Sequence, residues 1–490
     1  MGITRNAALA ATAIATLFSL GCDSLIGLKD FEIKSGLNDA STAVGCIDPT
    51  GLGGLGCYSC PLNEQSETSQ VINACTSTPC TPFDNPSRIP DFASITSRPD
   101  PTPIETDMGG PAPSTNTGTD PLPAQLCADL TPRPVYLYGS SALNLGLRTL
   151  AQAISGTATL VYQNDTSCQG FEAINGNVRM RGTAQYWPAG SDQPLPCANP
   201  EDKPADIGLC DVSPTSCIPG FAGNNSLVDD IGPAQVFMFT VPFGSSQREI
   251  SAEAAYTVYG YDEGGVEPWT DPESLVRRGV TSGVQLTIAA SLDLEPRFWR
   301  GVIKQRSSEV KPALLALAEP NRALGITSAD VAEEQDTRAN LRTLAYQQFG
   351  QSCAFFPDST LGGSDKRNVR DGHYELWAPF HFYTRGQNGV TSDPFVANIV
   401  SYLTGARPLP NGNTDFITTL KQAGLVPSCA MRVTRAREGA RIVPYAPEPS
   451  CGCYFDASPP GGVVPDCQTC ENSTQCPASA PNCNFGYCEP

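Results

Sequence analysis

The sequence predicts an α/β fold of two lobes, with a small disulfide-rich module at each end. Three observations predict it. Between residues 133 and 440, short apolar runs alternate with segments whose apolar residues recur at helical spacing. That stretch is about 300 residues long, more than one core usually covers, which argues for two lobes. Cysteines crowd its flanks: Cys46, Cys57, Cys60, Cys75 and Cys80 before it, and seven from Cys451 to Cys488 after it.

The elements follow in order. Residues 135–138 read as a short buried strand. Gly139, Ser140 and Ser141 turn it into a helix whose Leu143, Leu147, Leu150 and Ile154 form one apolar face. Residues 157–163 are β-rich, and a second Ser- and Gly-bearing turn leads to a helix starting at 171–174. Residues 235–241 form a near-continuous apolar strand, and 250–259 read as helix. A strand at 274–278, a Gly/Ser turn and a helix at 285–294 repeat the first pattern. Strands are expected at 323–327 and 341–346. An aromatic stretch at 374–383 surrounds Pro379. Helices at 394–403 and 416–423 close the domain. Strands and helices alternating at this density predict largely parallel sheets.

The N-terminus reads as an address. Arg5 precedes an apolar run over residues 7–20, too short to span a bilayer. Ser19-Leu20-Gly21-Cys22 resembles the bacterial lipobox, which implies a lipoprotein signal peptide over 1–21 and a lipid on Cys22. Residues 22–45 then read as a tether and 46–80 as a Cys-rich module. Residues 81–132 are rich in Pro, Thr, Ser, Asp and Gly, and read as a flexible linker holding the next domain off the membrane. Residues 451–490 form the second Cys-rich module. The implied location is the bacterial cell envelope, on the periplasmic face or the outer-membrane surface. Twenty cysteines in an exported chain are most simply disulfides. With Cys22 lipidated, nineteen remain, so at least one is free or pairs with another chain. The Cys57–Cys60 CxxC and the C-terminal cluster read as disulfides rather than zinc or redox sites, since paired knuckles at zinc spacing are absent.

Charge and motifs narrow the function. Thirty-one basic and fifty acidic residues give a formal charge of −19. That argues against nucleic acid or an anionic lipid surface as partner, so membrane contact is expected through the lipid alone. Only two histidines occur, His373 and His381, and both read as structural. No HExxH, GxSxG or Walker loop is present, so no catalytic residue, metal or cofactor is expected.

Two strands that each deliver a hydroxyl residue to a helix N-terminus are a device for gripping an anion. The free N–H groups of a first helical turn point at one spot, and the helix dipole favours negative charge there. Four such turns occur. Gly139-Ser140-Ser141 is the first. Thr166-Ser167-Cys168-Gln169-Gly170 is the second. The third runs from Ala205 to Asp211, and the fourth is Arg277-Arg278-Gly279-Val280-Thr281-Ser282-Gly283-Val284. In order and spacing they resemble the phosphate-binding proteins of bacterial phosphate ABC transporters, members of the type 2 periplasmic-binding-protein superfamily. Glu267-Pro268-Trp269, Ala323-Leu324-Gly325-Ile326 and Tyr374-Glu375-Leu376-Trp377-Ala378-Pro379 extend the resemblance, with an insertion at roughly 177–204.

The resemblance implies a two-lobed, hinged receptor, with lobe 1 at about 133–230 plus 325–440 and lobe 2 at about 234–324. Its ligand would be inorganic phosphate or a similar oxyanion, and its partner an ABC permease. It carries the binding roles over to Ser140, Ser141, Ser167, Asp211, Arg278, Ser282 and Gly283. Arg278 would fork onto two oxygens. Asp211 would accept a proton that phosphate still carries near neutral pH and sulfate does not. Cys168 and Cys210, beside two of these residues on loops that should converge, are expected to form a disulfide. Three departures stand against the family pattern. Val284 replaces a threonine, no acid braces Arg278 before Ser282, and the second loop has lost glycines. The Val284 and glycine departures, with the flanking Cys-rich modules that a transport receptor does not need, favour the rival expectation, a cell-envelope adhesion or scaffold lipoprotein that keeps the fold without a small ligand.

Overall fold

A computed structural model describes residues 47–48, 57–58, 65, 67–90, 92, 121–176, 178–261, 265–410, 416–462 and 467–490. The signal segment, Cys22, the tether, Cys46 and Cys60 lie outside the described residues. Among the described residues, no helix is long and apolar enough to cross a membrane.

The first half supplies β1 (Pro134–Gly139), α1 (Asn144–Ala153), β2 (Thr159–Asn164), α2 (Ser167–Asn175), β3 (Met180–Tyr186), β4 (Leu195–Lys203) and β5 (Ile207–Cys210). A long strand, β6 (Leu227–Pro242), leads to α3 (Ala252–Gly260), β7 (Leu275–Arg278), α4 (Gly283–Leu292), β8 (Val302–Lys304), β9 (Leu324–Ser328) and β10 (Leu341–Thr343). The chain returns through β11 (Trp377–Gln387), α5 (Pro394–Leu403) and α6 (Phe416–Gln422). One twelve-stranded sheet runs in the order β8-β7-β9-β6-β11-β5-β1-β2-β3-β4, with β10 beside β6 and the short strand Val390–Thr391 beside β11.

The sheet is mixed, which corrects the largely parallel expectation. β1 runs parallel to β2 and β5, and β7 to β8 and β9. The pairs β9–β6, β6–β11, β11–β5, β2–β3 and β3–β4 are antiparallel. Two causes account for this. The insertion folds as a β3–β4 hairpin, which needs only a short turn. β6 and β11 each run on through both halves of the sheet, pairing Trp377 with Val236 at one end and Arg385 with Leu227 at the other. Their register shifts between Pro379 and His381, as expected where proline has no N–H to give the ladder.

Packing follows the two periodicities. On β1, Val135 and Leu137 face one apolar cluster with Leu147, Leu150 and Leu160. Tyr136 and Tyr138 face the other, with Phe171 and Val161. A larger cluster gathers Phe237, Phe239, Tyr259, Ile288, Trp299, Ile326 and Tyr346. The sheet thus carries one apolar body around β1–β5 and another around β7–β9, joined through β6 and β11.

The flanks are fastened into this domain. Val71, Ile72, Phe83 and Ile89 belong to the larger cluster. Thr81 and Ala354 exchange backbone hydrogen bonds at 3.0 and 2.9 Å, and Cys80 is bonded to Cys353. At the other end of the expected linker, Cys127 is bonded to Cys197 and Leu130 is buried. A few apolar residues amid a polar composition are enough to dock both ends. Cys57–Cys75, Cys429–Cys451, Cys453–Cys467, Cys470–Cys483 and Cys476–Cys488 complete the flanking bridges. The sulfurs of Cys470, Cys476 and Cys488 lie within 4.8 Å of one another, but all three are in disulfides and offer no thiolate to a metal.

Candidate ligand-binding site

Each segment of the site begins where a strand hands over to a helix. Gly139 ends β1 with φ 126°, and an added Cβ would lie 2.2 Å from the Leu209 carbonyl oxygen. Gly170 on α2 meets the same oxygen at the same distance. Glycine at both positions lets α2 press onto β1 and β5 at backbone range. The starts of α2 and of the Ser141–Leu143 turn are thereby brought to one spot.

All seven residues singled out in the sequence line a single cavity of about 30 Å³: Ser140, Ser141, Ser167, Asp211, Arg278, Ser282 and Gly283. That is room for a few atoms, about twice what one water needs. Ala142, Asp165, Thr166, Val284, Ser307 and Ser328 complete the lining. Some hydroxyls are ordinary caps and some are not. Ser140 Oγ accepts from the Ala142 N–H at 3.3 Å. Thr166 and Ser282 are the N-caps of α2 and α4, yet neither side chain bonds its own helix. Both residues line the cavity.

Asp211 sits at the centre. Its Oδ2 accepts from Ser140 Oγ at 3.1 Å. Its Oδ1 is buried and has no partner of hydrogen-bond geometry. Burial raises its pKa; the Ser167 and Ser140 hydroxyls and the Arg278 charge pull the other way without cancelling it. The loop after Asp211 is pinned by buried Glu438, which accepts from Ser213 N at 2.6 Å, Ser213 Oγ at 2.9 Å and Ser216 Oγ at 2.6 Å. Across the cleft, Gly283 N donates to Ser167 Oγ at 3.2 Å, and Cys168 N to the Thr281 carbonyl at 3.4 Å. These bonds join the α2 and α4 starts directly.

Arg278 is braced without an acid. Nε donates to the Lys304 carbonyl at 3.0 Å, Nη2 to the Gln305 carbonyl at 2.8 Å, and Nη1 to the Ser307 hydroxyl. Three of its five N–H groups are so used, leaving one on each Nη. Burial lowers its pKa to about 10, partly offset by Asp211, so it stays charged at neutral pH. Behind the lining, Asp330 accepts from Gln235 Nε2 at 3.3 Å; burial first, and then the Asp211 charge, push it up to about 6 against the Ser328 hydroxyl bond.

Sequence reasoning missed Asp165, Thr166, Ser307 and Ser328. Asp165 and Thr166 directly precede Ser167, and Ser328 ends β9 at a helix start, so the strand-to-hydroxyl pattern already in use could have found these three. Ser307 acts through Arg278 and carried no such signal. The expected Cys168–Cys210 bridge is wrong. Cys168 is bonded to Cys217, with Cα atoms 5.2 Å apart, and Cys210 is buried and free. The helix Pro214–Cys217 brings Cys217 back to α2, while Cys210 is held within β5, its Sγ donating to the Val212 carbonyl at 3.0 Å. Burial and Asp211 keep that thiol protonated. Both histidines are buried and bonded to carboxylates, His373 to Asp371 at 2.7 Å and His381 to Asp229 at 2.8 Å. Neither lines the cavity.

No protein-family model matches this chain, and no curated protein matches it. Solved structures do. An ABC-type phosphate transport receptor from Vibrio cholerae aligns with 14% identity and a TM-score of 0.38, covering 60% of this chain and 99% of that one. A putative phosphate ABC transporter substrate-binding protein with bound phosphate, from Clostridium perfringens, gives 12% identity and a TM-score of 0.41 over 60% and 99%. The reduced form of the OxyR regulatory domain from Pseudomonas aeruginosa gives 6% and 0.33 over 56% and 98%. At TM-scores below 0.5 these likenesses carry no argument about what this chain binds.

Proposed function

We propose that the chain is an exported, lipid-anchored solute-binding protein that holds an oxyanion, phosphate, between two lobes. The buried, unpartnered Asp211 Oδ1 carries the reading. A carboxylate oxygen left without a donor in a buried site costs about 1–3 kcal/mol or more, and a hydroxyl on the ligand removes that cost. Around it stand donors suited to the ionised oxygens: the Thr166 and Ser282 hydroxyls and two free N–H groups of Arg278. The Thr166 hydroxyl makes up for the threonine replaced by Val284, and the carbonyls at 304–305 for the missing acidic brace.

Calorimetry on the full chain tests this. Phosphate at pH 6–8 should bind, and sulfate should bind at least about 100-fold more weakly, since it leaves Asp211 facing an ionised oxygen. Equal binding of both ions, or heat from neither, would refute the reading. An ABC permease is the partner such a receptor serves. The anchor rests on the lipobox-like Ser19–Cys22 segment alone. A Cys22→Ala chain should move from the membrane fraction to the soluble fraction, and unchanged fractionation would rule the anchor out.

A further inference from the structure

Asp211 is not the sole acid in the cavity. Asp165 lines it as well. Its Oδ2 accepts from the Tyr138 hydroxyl at 2.5 Å and its Oδ1 from the Thr166 N–H at 2.8 Å. An ionised carboxylate has about four acceptor directions. The two bonds fix its orientation and leave a lone pair on each oxygen. We propose that Asp165 is a second proton acceptor for the bound ion, so that the cavity takes a phosphate-class oxyanion carrying two protons, a monoanion. The inference rests on the oxyanion reading and specifies its ligand.

The charges around the cavity point the same way. Asp165 and Asp211 together outweigh Arg278, the single guanidinium in the lining, and buried Asp330 adds a further acid behind it. Arg306 acts on Asp165 from the 304–307 segment, the Tyr138 hydroxyl donates to it from β1, and Tyr162 on β2, whose hydroxyl donates to the Gly139 and Ser140 carbonyls at 3.2 and 3.0 Å, feels its charge. Neither tyrosine supplies charge, since burial first and then Asp165 hold both phenols protonated. A dianion would bring two more negative charges against this set, with one proton for two carboxylates. A doubly protonated monoanion brings one charge and turns an O–H to each acid, leaving its two other oxygens for Arg278 and the hydroxyls.

The test is the pH dependence of phosphate binding by the full chain, measured by calorimetry from pH 5.5 to 8.5. Above the second ionisation of phosphate, affinity should fall about tenfold per pH unit, because the competent species falls by that factor. Binding at pH 8 should take up one proton, read from the heats in buffers of different ionisation enthalpy. Asp165→Asn, whose amide can face an ionised oxygen, should flatten the slope and abolish the uptake; Tyr138→Phe, which frees Asp165 without removing it, should keep both. Methylphosphonate, whose monoanion has one O–H, should bind about tenfold more weakly than phosphate at pH 6. Phosphate affinity that holds level or rises toward pH 8 would overturn the two-proton assignment while leaving an oxyanion receptor intact. No binding at any pH would overturn both.

Discussion

Replacing Gly283 by alanine should weaken phosphate binding by up to roughly 100-fold in a chain that still folds. An added Cβ would lie 1.9 Å from Asp211 Oδ1, 2.5 Å from its Cγ and 2.8 Å from Ser167 Oγ. The reason for glycine here is room, since its N–H donates to Ser167 from an ordinary helix start. The methyl can be admitted in two ways, and both harm the site. Either the Asp211 carboxylate swings off Ser140 and out of register with the ligand, or α4 backs away and breaks the Gly283–Ser167 and Cys168–Thr281 contacts. Overpacking of this kind costs about 1–3 kcal/mol. Taken from binding, the upper end is a loss of roughly 100-fold in affinity. Titration of Gly283→Ala with phosphate, beside a thermal melt, checks both halves. Affinity within threefold of the parent would mean that Gly283 and Asp211 do not meet around the ligand.

The second large effect concerns stability. Cys80 and Cys353 close a loop of 273 residues. Such a cross-link restrains the unfolded chain by up to about 5 kcal/mol in the chain-entropy account, and by roughly 2–4 kcal/mol in common experience. It also pins an arm that is held besides by the Thr81–Ala354 bridge, by Phe83 and Ile89 in the core, by Arg88 on Gln247, by the Phe83 N–H on Gln347, and by the bond from Ser251 Oγ to Asn85 Oδ1 at 2.5 Å. The double variant Cys80→Ser, Cys353→Ser should lose about 2–5 kcal/mol in denaturant unfolding. Limited proteolysis should then cut first within 73–90. Phosphate affinity should stay near parental, because neither cysteine lines the cavity. A double variant as stable as the parent would show that the cross-link adds nothing to stability.

Much of the architecture was legible because it rests on local periodicity. The Leu143–Leu147–Leu150–Ile154 stripe became the buried face of α1, and the apolar run at 235–241 became the core-facing part of β6. Strand direction was not legible. Nothing local in Met180–Tyr186 or Leu195–Lys203 says that they pair with each other and run against β2. The gathering of seven marked residues around one cavity was legible from order and spacing, since each ends a strand or starts a helix of one sheet. Disulfide partners were not. Cys168 and Cys210 lie on neighbouring segments, yet the sulfur that reaches Cys168 belongs to Cys217, seven residues further on. The Arg278 brace was invisible for a related reason, because carbonyls at 304 and 305 have no side-chain signature.

The docked ends of the Pro/Thr/Ser-rich stretch change what that stretch can do. Val71, Ile72, Phe83, Ile89 and Phe92 pack into the body around β7–β9, and Cys127 fastens the chain to the body around β1–β5. The residues between are therefore a strap sewn to the molecule at both hems. It adds nothing to the standoff from a bilayer. If Cys22 carries the lipid, the leash is only what precedes Cys57, and any tug on it arrives first at the Cys57–Cys75 and Cys80–Cys353 rivets, well away from the cleft.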